Sequence, residues 1–229
     1  FGTLSLIFSY IILFNVILSY GLETSFFRFY NQEKNKKDVL NTAAVSILIS
    51  SFLFASIFSI FKINISHFTG ISTGYLSIIV WILVADALTV IPFAYLRLKG
   101  SAIKYSVVKI VNVIIYFSLN IFLLIFLKDL IHSYEIFESI YVENYEVAYI
   151  FIANLIASIS SLLLLLPFYF EINYKANIEL LKRMLAYGFP ILISGLAFTV
   201  NETFDKILLD FLLPASIAKT QIGMYAACY

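Results

Sequence analysis

Five stretches of this chain, residues 1–20, 39–61, 110–127, 147–170 and 184–201, contain no Asp, Glu, Lys, Arg or His. A helix needs roughly 17–25 mainly apolar residues to cross the hydrocarbon core of a bilayer. A helix that is apolar all round belongs in a membrane or a deep core, and a chain of 229 residues has no core deep enough for five of them. A sixth stretch, 75–96, is long enough to span but contains Asp86 and Pro92. The pattern predicts an all-α, polytopic helical membrane protein. Open strands are excluded because lipid leaves their backbone groups unsatisfied, and the period-two alternation of a membrane barrel is absent.

The gaps between these stretches divide the basic residues unevenly. Residues 21–38 carry Arg28, Lys34, Lys36 and Lys37, residues 97–109 carry Arg97, Lys99, Lys104 and Lys109, and residues 171–183 carry Lys175, Lys182 and Arg183. The intervening gaps hold Lys62 alone, then Lys128 alone among the acids Asp129, Glu135, Glu138, Glu143 and Glu146, then Lys206 and Lys219. Bases are retained on the cytoplasmic side of a membrane, so the base-rich gaps are assigned inward and Phe1 outward. The alternation holds only if 75–96 is itself a span. The chain begins inside an apolar stretch without an initiating Met and stops soon after another opens. It is therefore expected to be a piece of a longer, transporter-sized protein with one further helix before residue 1.

Composition removes whole classes of function. A net charge of +1 gives no concentrated basic face for nucleic acid. The single Cys228 allows neither an intrachain disulfide nor a cysteine metal cluster. No GxxxxGK[ST] phosphate loop, HExxH pair or GxSxG elbow occurs, so nothing in the residues points to an enzyme.

Three polar groups interrupt the apolar background. Asp86 stands near the middle of its span, where an ionised carboxylate costs about 2.5–3.5 kcal/mol on insertion scales. It either faces a watery cavity or fixes helix packing through a hydrogen bond. Glu202, Lys206 and Asp210 recur every fourth residue and share one helix face, with Asp205 beside them. Glu202 before Lys206 is the favourable order for an i,i+4 pair. This stripe reads equally as a transport site or as a hydrated helix end. Residues 21–30, GLETSFFRFY, set Glu23 and Arg28 about an aromatic run at the inner end of the first span, a pattern that an ordinary interfacial anchor also shows.

The segment GLETSFFRFY, together with YGFPILISGLAFTVNETFDKILLDFLLP at 187–214, resembles the bacterial polysaccharide transporter (oligosaccharide flippase) family, within the multidrug/oligosaccharidyl-lipid/polysaccharide exporter superfamily. The first matches that family's G-x-E-T-x-x-x-R-[FY] stretch after its second helix. The second matches its seventh-helix pattern of Tyr-Gly-x-Pro followed by an Asp with a basic neighbour. IGMYA at 222–226 resembles the Gly-x-Tyr opening of the eighth helix. FGTLS at 1–5 echoes it weakly, as parallel transporter repeats do.

The resemblance implies two pseudo-symmetric lobes about a central cavity. Residues 1–170 would be helices two to six of the first lobe, 171–183 a cytoplasmic linker, and 184–229 helix seven with the start of helix eight. It implies a flippase for polyprenyl-pyrophosphate-linked oligosaccharide in the bacterial cytoplasmic (inner) membrane, serving O-antigen, capsule or exopolysaccharide synthesis. The implied partners are that lipid-linked oligosaccharide, membrane lipids and polysaccharide assembly proteins. No cofactor is implied, and a coupling ion is left open. Arg28, Arg97 and Lys206 are the candidates for gripping phosphate, with Asp86 and Asp205 as balancing or coupling acids and Glu23 and Glu202 as further candidate transport-site residues. Two other readings are a multidrug/cation antiporter, for which Asp86 is the acidic candidate, and a membrane polysaccharide polymerase. The polymerase is disfavoured because the outward gaps contain no Arg.

Overall fold

The computed structural model describes residues 2–127, 145–214 and 216–228. Eight α-helices are found among them: α1 (Gly2–Ser19), α2 (Leu22–Gln32), α3 (Lys36–Thr69), α4 (Thr73–Leu98), α5 (Ala102–Ile121, continued by a π-helical turn Phe122–Phe126), α6 (Glu146–Phe170), α7 (Ile178–Leu212) and α8 (Ala218–Cys228). No strand occurs among the described residues. Taking α1 with α2 as one segment, six are long and apolar enough to span a membrane. The chain is an all-α, polytopic membrane protein. The acidic stretch with Lys128, Asp129, Glu135, Glu138 and Glu143 lies outside the described residues.

Several helices continue past the charges at which the apolar stretches stop. α3 runs through Lys62 to Thr69, and α7 runs from Ile178 through Glu202, Asp205 and Asp210 to Leu212. With 34 and 35 residues, each is about 50 Å long at 1.5 Å per residue, against a hydrocarbon core of roughly 30 Å. A charge ends the apolar stretch; it does not end the helix, because hydrated backbone keeps its internal hydrogen bonds.

The chain divides into two compact units, Phe1–Ser50 with Ile172–Tyr229, and Ser51–Glu171. In the first, α1 packs on α7 and α8, and α2 packs on α7. The bend between α1 and α2 comes from two consecutive residues in the left-handed region, Tyr20 (φ 33°) and Gly21 (φ 69°). The Tyr20 hydroxyl lies 2.7 Å from Ser46 Oγ, and the Ser50 hydroxyl donates to it at 3.4 Å, tying the bend to α3. The loop before α7 is held on the start of α3: the Asn173 and Asn177 backbone N–H groups donate to Asn41 Oδ1 (3.3 Å) and Thr42 Oγ1 (3.0 Å). Asn177 then caps α7 by accepting from the Leu180 N–H at 3.1 Å.

In the second unit α4 packs on α5 and α6, and α5 packs on α6. α4, the span interrupted by Asp86 and Pro92, is the most buried of the six. Pro92 has no N–H to give to the Leu88 carbonyl four residues back. The Tyr169 hydroxyl of α6 donates to that carbonyl instead, so the helix keeps Pro92 in its buried interior without an orphaned acceptor.

Candidate functional site

The two sequence segments that carry the family resemblance lie against each other in the first unit. α2 is amphipathic: Leu22, Ser25, Phe26 and Phe29 are buried at i, i+3, i+4 and i+7, while Thr24, Arg28 and Asn31 are exposed. Its start meets α7 backbone to backbone. A Cβ on Gly21 would fall 2.3 Å from the Gly188 carbonyl oxygen, and one on Gly188 would fall 2.8 Å from Ser25 Oγ. Only glycine permits this approach, as at other crossings of membrane helices. Ser25 Oγ stands 2.8 Å from the Met184 carbonyl oxygen and 3.1 Å from that of Gly21.

This junction fixes Arg28. Its guanidinium lies over the Tyr187 ring, 4.2 Å from the centroid, with Nε donating to Gln32 Oε1 at 3.4 Å. Phe29 packs edge-on to the same ring, with centroids 6.4 Å apart. Arg183, one turn earlier on α7, lies 5.8 Å over Phe29 and pairs with Glu33 at 2.8 Å. That pair is exposed and contributes at most about 1 kcal/mol; its effect is to hold Arg183 in place. Two guanidiniums thus stand on aromatic faces at the end of the unit assigned inward by charge. Arg28, itself exposed, presents its fork of donors to solvent, the geometry suited to phosphate oxygens.

At the other end of the same helices lies a cavity of about 530 Å³ between α1, α7 and α8. Its lining is mixed: the hydroxyls of Ser5, Ser9, Thr199 and Thr203, the charges of Glu202 and Lys206, and the faces of Phe8 and Phe198. Thr199 and Thr203 are four apart, as are Glu202 and Lys206, and the two pairs are offset by three, so one face of α7 supplies them all. Along α7 the cavity stands about 22 Å from Tyr187, fifteen residues at 1.5 Å each. The Ser9 and Thr203 hydroxyls donate to the Ser5 and Thr199 carbonyls of their own helices, so the lining presents hydroxyl oxygens, both signs of charge and flat apolar surface.

The remaining expected residues are dispersed. Glu23 is partly buried in the first turn of α2, where a carboxylate complements the helix dipole. Asp205 neighbours the cavity residues in sequence without lining it; its Oδ1 accepts from the Lys206 backbone N–H at 2.7 Å. Asp86 and Arg97 belong to the second unit. Asp86 accepts from the Ser158 hydroxyl of α6 at 2.7 Å, and Arg97 is exposed with its guanidinium 5.7 Å over Tyr105.

Sequence reasoning missed Ser5, Ser9, Thr199 and Thr203 as cavity residues and Arg183 as the companion of Arg28. A signal for the hydroxyls existed in their spacing of four on otherwise apolar helices. Arg183 carried none beyond its charge. The weak echo between 1–5 and 222–226 also acquires a physical counterpart: a Cβ on Gly2 would fall 1.7 Å from the Lys219 carbonyl oxygen and 3.1 Å from the Gly223 nitrogen. The echoing segments cross at their glycines.

No curated protein and no solved structure matches the chain in sequence or fold comparison. Matched over residues 1–229 by the family model described as polysaccharide biosynthesis protein, this multi-pass membrane chain belongs to that family and serves polysaccharide biosynthesis or export.

Proposed function

We propose that the chain is part of a flippase that carries polyprenyl-pyrophosphate-linked oligosaccharide from the cytoplasmic to the outer leaflet of the bacterial inner membrane. The observation that carries this reading is the open cavity between α1, α7 and α8, where the charges of Glu202 and Lys206 and several hydroxyl residues interrupt a mainly apolar wall. Polar groups at membrane depth are costly and mark substrate pathways, and this set suits sugar hydroxyls better than an apolar or purely cationic guest. The diphosphate is the harder part to move, since its charge has no place in hydrocarbon. Arg28 supplies a pre-positioned, accessible guanidinium at the end where such a substrate enters. The tail stays in lipid, no covalent bond is made or broken, and the protein acts as a transporter.

The test is to deplete the full-length protein from its host and assign the leaflet of lipid-linked oligosaccharides by periplasmic enzyme access. The expected result is accumulation on the cytoplasmic face with loss of surface polysaccharide. Complementation with Arg28→Ala should lower export at least tenfold while leaving membrane insertion intact. Arg28→Lys should recover part of it, because an ammonium keeps the charge but not the fork. An unchanged lipid pool after depletion would sink the flippase reading and direct attention to drug efflux. Full export by Arg28→Ala would remove that residue from the mechanism.

A further inference from the structure

The second unit contains a separate open cleft of about 460 Å³, formed where α4, α5 and α6 come together at their base-rich end. Its floor rests on the packed cluster of Phe93, Val108 and Leu165, with Leu96 and Tyr105 against it. Its lining changes character along all three helices in the same direction. On α4 and the turn after it, Pro92 and Tyr95 give way to Lys99; on antiparallel α5, Val107 gives way to Lys104; on α6, Leu164 and Pro167 give way to Glu171. The deep part is apolar and the mouth is charged.

The charge at the mouth is net positive. Lys99 and Lys104 line it against the single carboxylate of Glu171, with Arg97 two residues before Lys99, while Lys109 stands deeper on α5. The bases are ordered by aromatic faces: Lys99 lies 4.7 Å over Tyr95, Lys109 4.4 Å over Phe93, and Arg97 over Tyr105. The turn that carries Lys99 is closed tightly, with Gly100 in the left-handed region and the Ser101 N–H donating to the Leu96 carbonyl at 3.0 Å. Below the mouth the walls are exposed within membrane-spanning segments. Val107 is 50% exposed and Leu164 49%.

A cationic rim at interface height above an exposed apolar slot is the complement of one kind of molecule, an anionic glycerophospholipid. We propose that this cleft binds such a lipid from the cytoplasmic leaflet, with its phosphate against Lys99 and Lys104 and the upper part of one acyl chain along Val107 and Leu164. Basic pockets between helices on the cytoplasmic side of membrane proteins hold anionic headgroups in this way. The site is independent of what the protein transports, and its residues belong to a different unit from Arg28, Glu202 and Lys206. Occupancy wedges a lipid against α4, α5 and α6, so it couples the packing of this unit to the anionic content of the membrane.

The test uses the purified full-length protein in detergent, titrated with phosphatidylglycerol and, separately, phosphatidylethanolamine, with bound lipid counted by native mass spectrometry. The wild type should retain phosphatidylglycerol preferentially. Lys99→Gln with Lys104→Gln should weaken that binding about tenfold, leaving phosphatidylethanolamine binding and the circular dichroism spectrum unchanged. Both lysines are exposed, so the double variant is expected to fold. Val107→Asn, which spoils the apolar wall without touching charge, should also weaken phosphatidylglycerol. Equal retention of phosphatidylglycerol by wild type and the lysine variant overturns the proposal. So does displacement of phosphatidylglycerol from the cleft by equimolar undecaprenyl diphosphate, which would make it a substrate site.

Discussion

At the scale of single residues, the constraint in the first unit that bears on Arg28 is the pair Gly21 and Gly188. A side chain on Gly21 is forbidden by the Gly188 backbone, one on Gly188 is crowded by Ser25 and the Tyr20 carbonyl, and Gly21 also has the positive φ that other residues adopt at a cost. The contact sets how deeply α2 beds into α7, and so where Arg28 stands relative to Tyr187. Gly188→Ala places a methyl 2.8 Å from Ser25 Oγ and 3.1 Å from the Tyr20 carbonyl oxygen. Relief requires Ser25 to rotate and α2 to move outward. The expected cost is about 1–3 kcal/mol, the range for overpacking a close contact, read as a lower melting temperature of the purified protein. Export should fall with it, because the Arg28–Tyr187 stacking depends on the same spacing. Gly74→Ala, whose added methyl meets nothing nearer than 4.0 Å, serves as the control and should leave both unchanged. Loss of stability in Gly74→Ala equal to that in Gly188→Ala would show that the close approach is not what matters.

At the scale of elements, α4 shows how a helix broken by rule is kept whole by its neighbour. Proline at 92 frees the Leu88 carbonyl, and Tyr169 of α6 supplies the missing donor. Tyr169→Phe should therefore cost about 1 kcal/mol, typical of one interhelical hydrogen bond in a membrane protein. With Pro92→Ala the carbonyl regains an in-helix donor, and Tyr169→Phe should then cost much less. Additive losses in a double-mutant cycle would refute the compensation. This is also where sequence reading ran out. The spans were readable from apolar length alone, and α4 was required by the alternation of bases despite Asp86 and Pro92. The two motif segments were readable as strings. Their contact was not, because Gly21 and Gly188 are far apart in the chain and glycine leaves no pattern that names its partner. Asp86 illustrates the same limit: a lone acid in a span announces that it needs a partner, but only the fold identifies Ser158. The full lengths of α3 and α7 go beyond their charge-free stretches for a different reason, since hydropathy marks where lipid stops and not where helical hydrogen bonding does.

At the scale of the whole molecule, one physical quantity organises the chain, the side of the membrane on which each group of bases is retained. Loops near Asn35, Ser101 and Lys175 are assigned inward by the bases around them, and loops near Ser72 and Ser216 outward. Under the proposed flippase function, this assignment puts Arg28 on the cytoplasmic, synthetic side and the cavity at Glu202 and Lys206 toward the outer face. The sole cysteine of this segment, Cys228, is exposed, so Cys228→Ser, with any cysteines elsewhere in the full-length protein also replaced, gives a background in which single cysteines introduced at those five positions report sidedness. A membrane-impermeant maleimide applied to intact spheroplasts should label positions 72 and 216, and should reach 35, 101 and 175 only after the membrane is opened. The inverse pattern would reverse the transport direction drawn from Arg28. Protection of 35 together with 72 would show that α3 does not cross, and the alternation of bases would then lose its physical basis. With the expected pattern, the path from Arg28 to Glu202 along α7 runs from the cytoplasmic face toward the outer one, over a distance of about 22 Å that covers most of the roughly 30 Å hydrocarbon core.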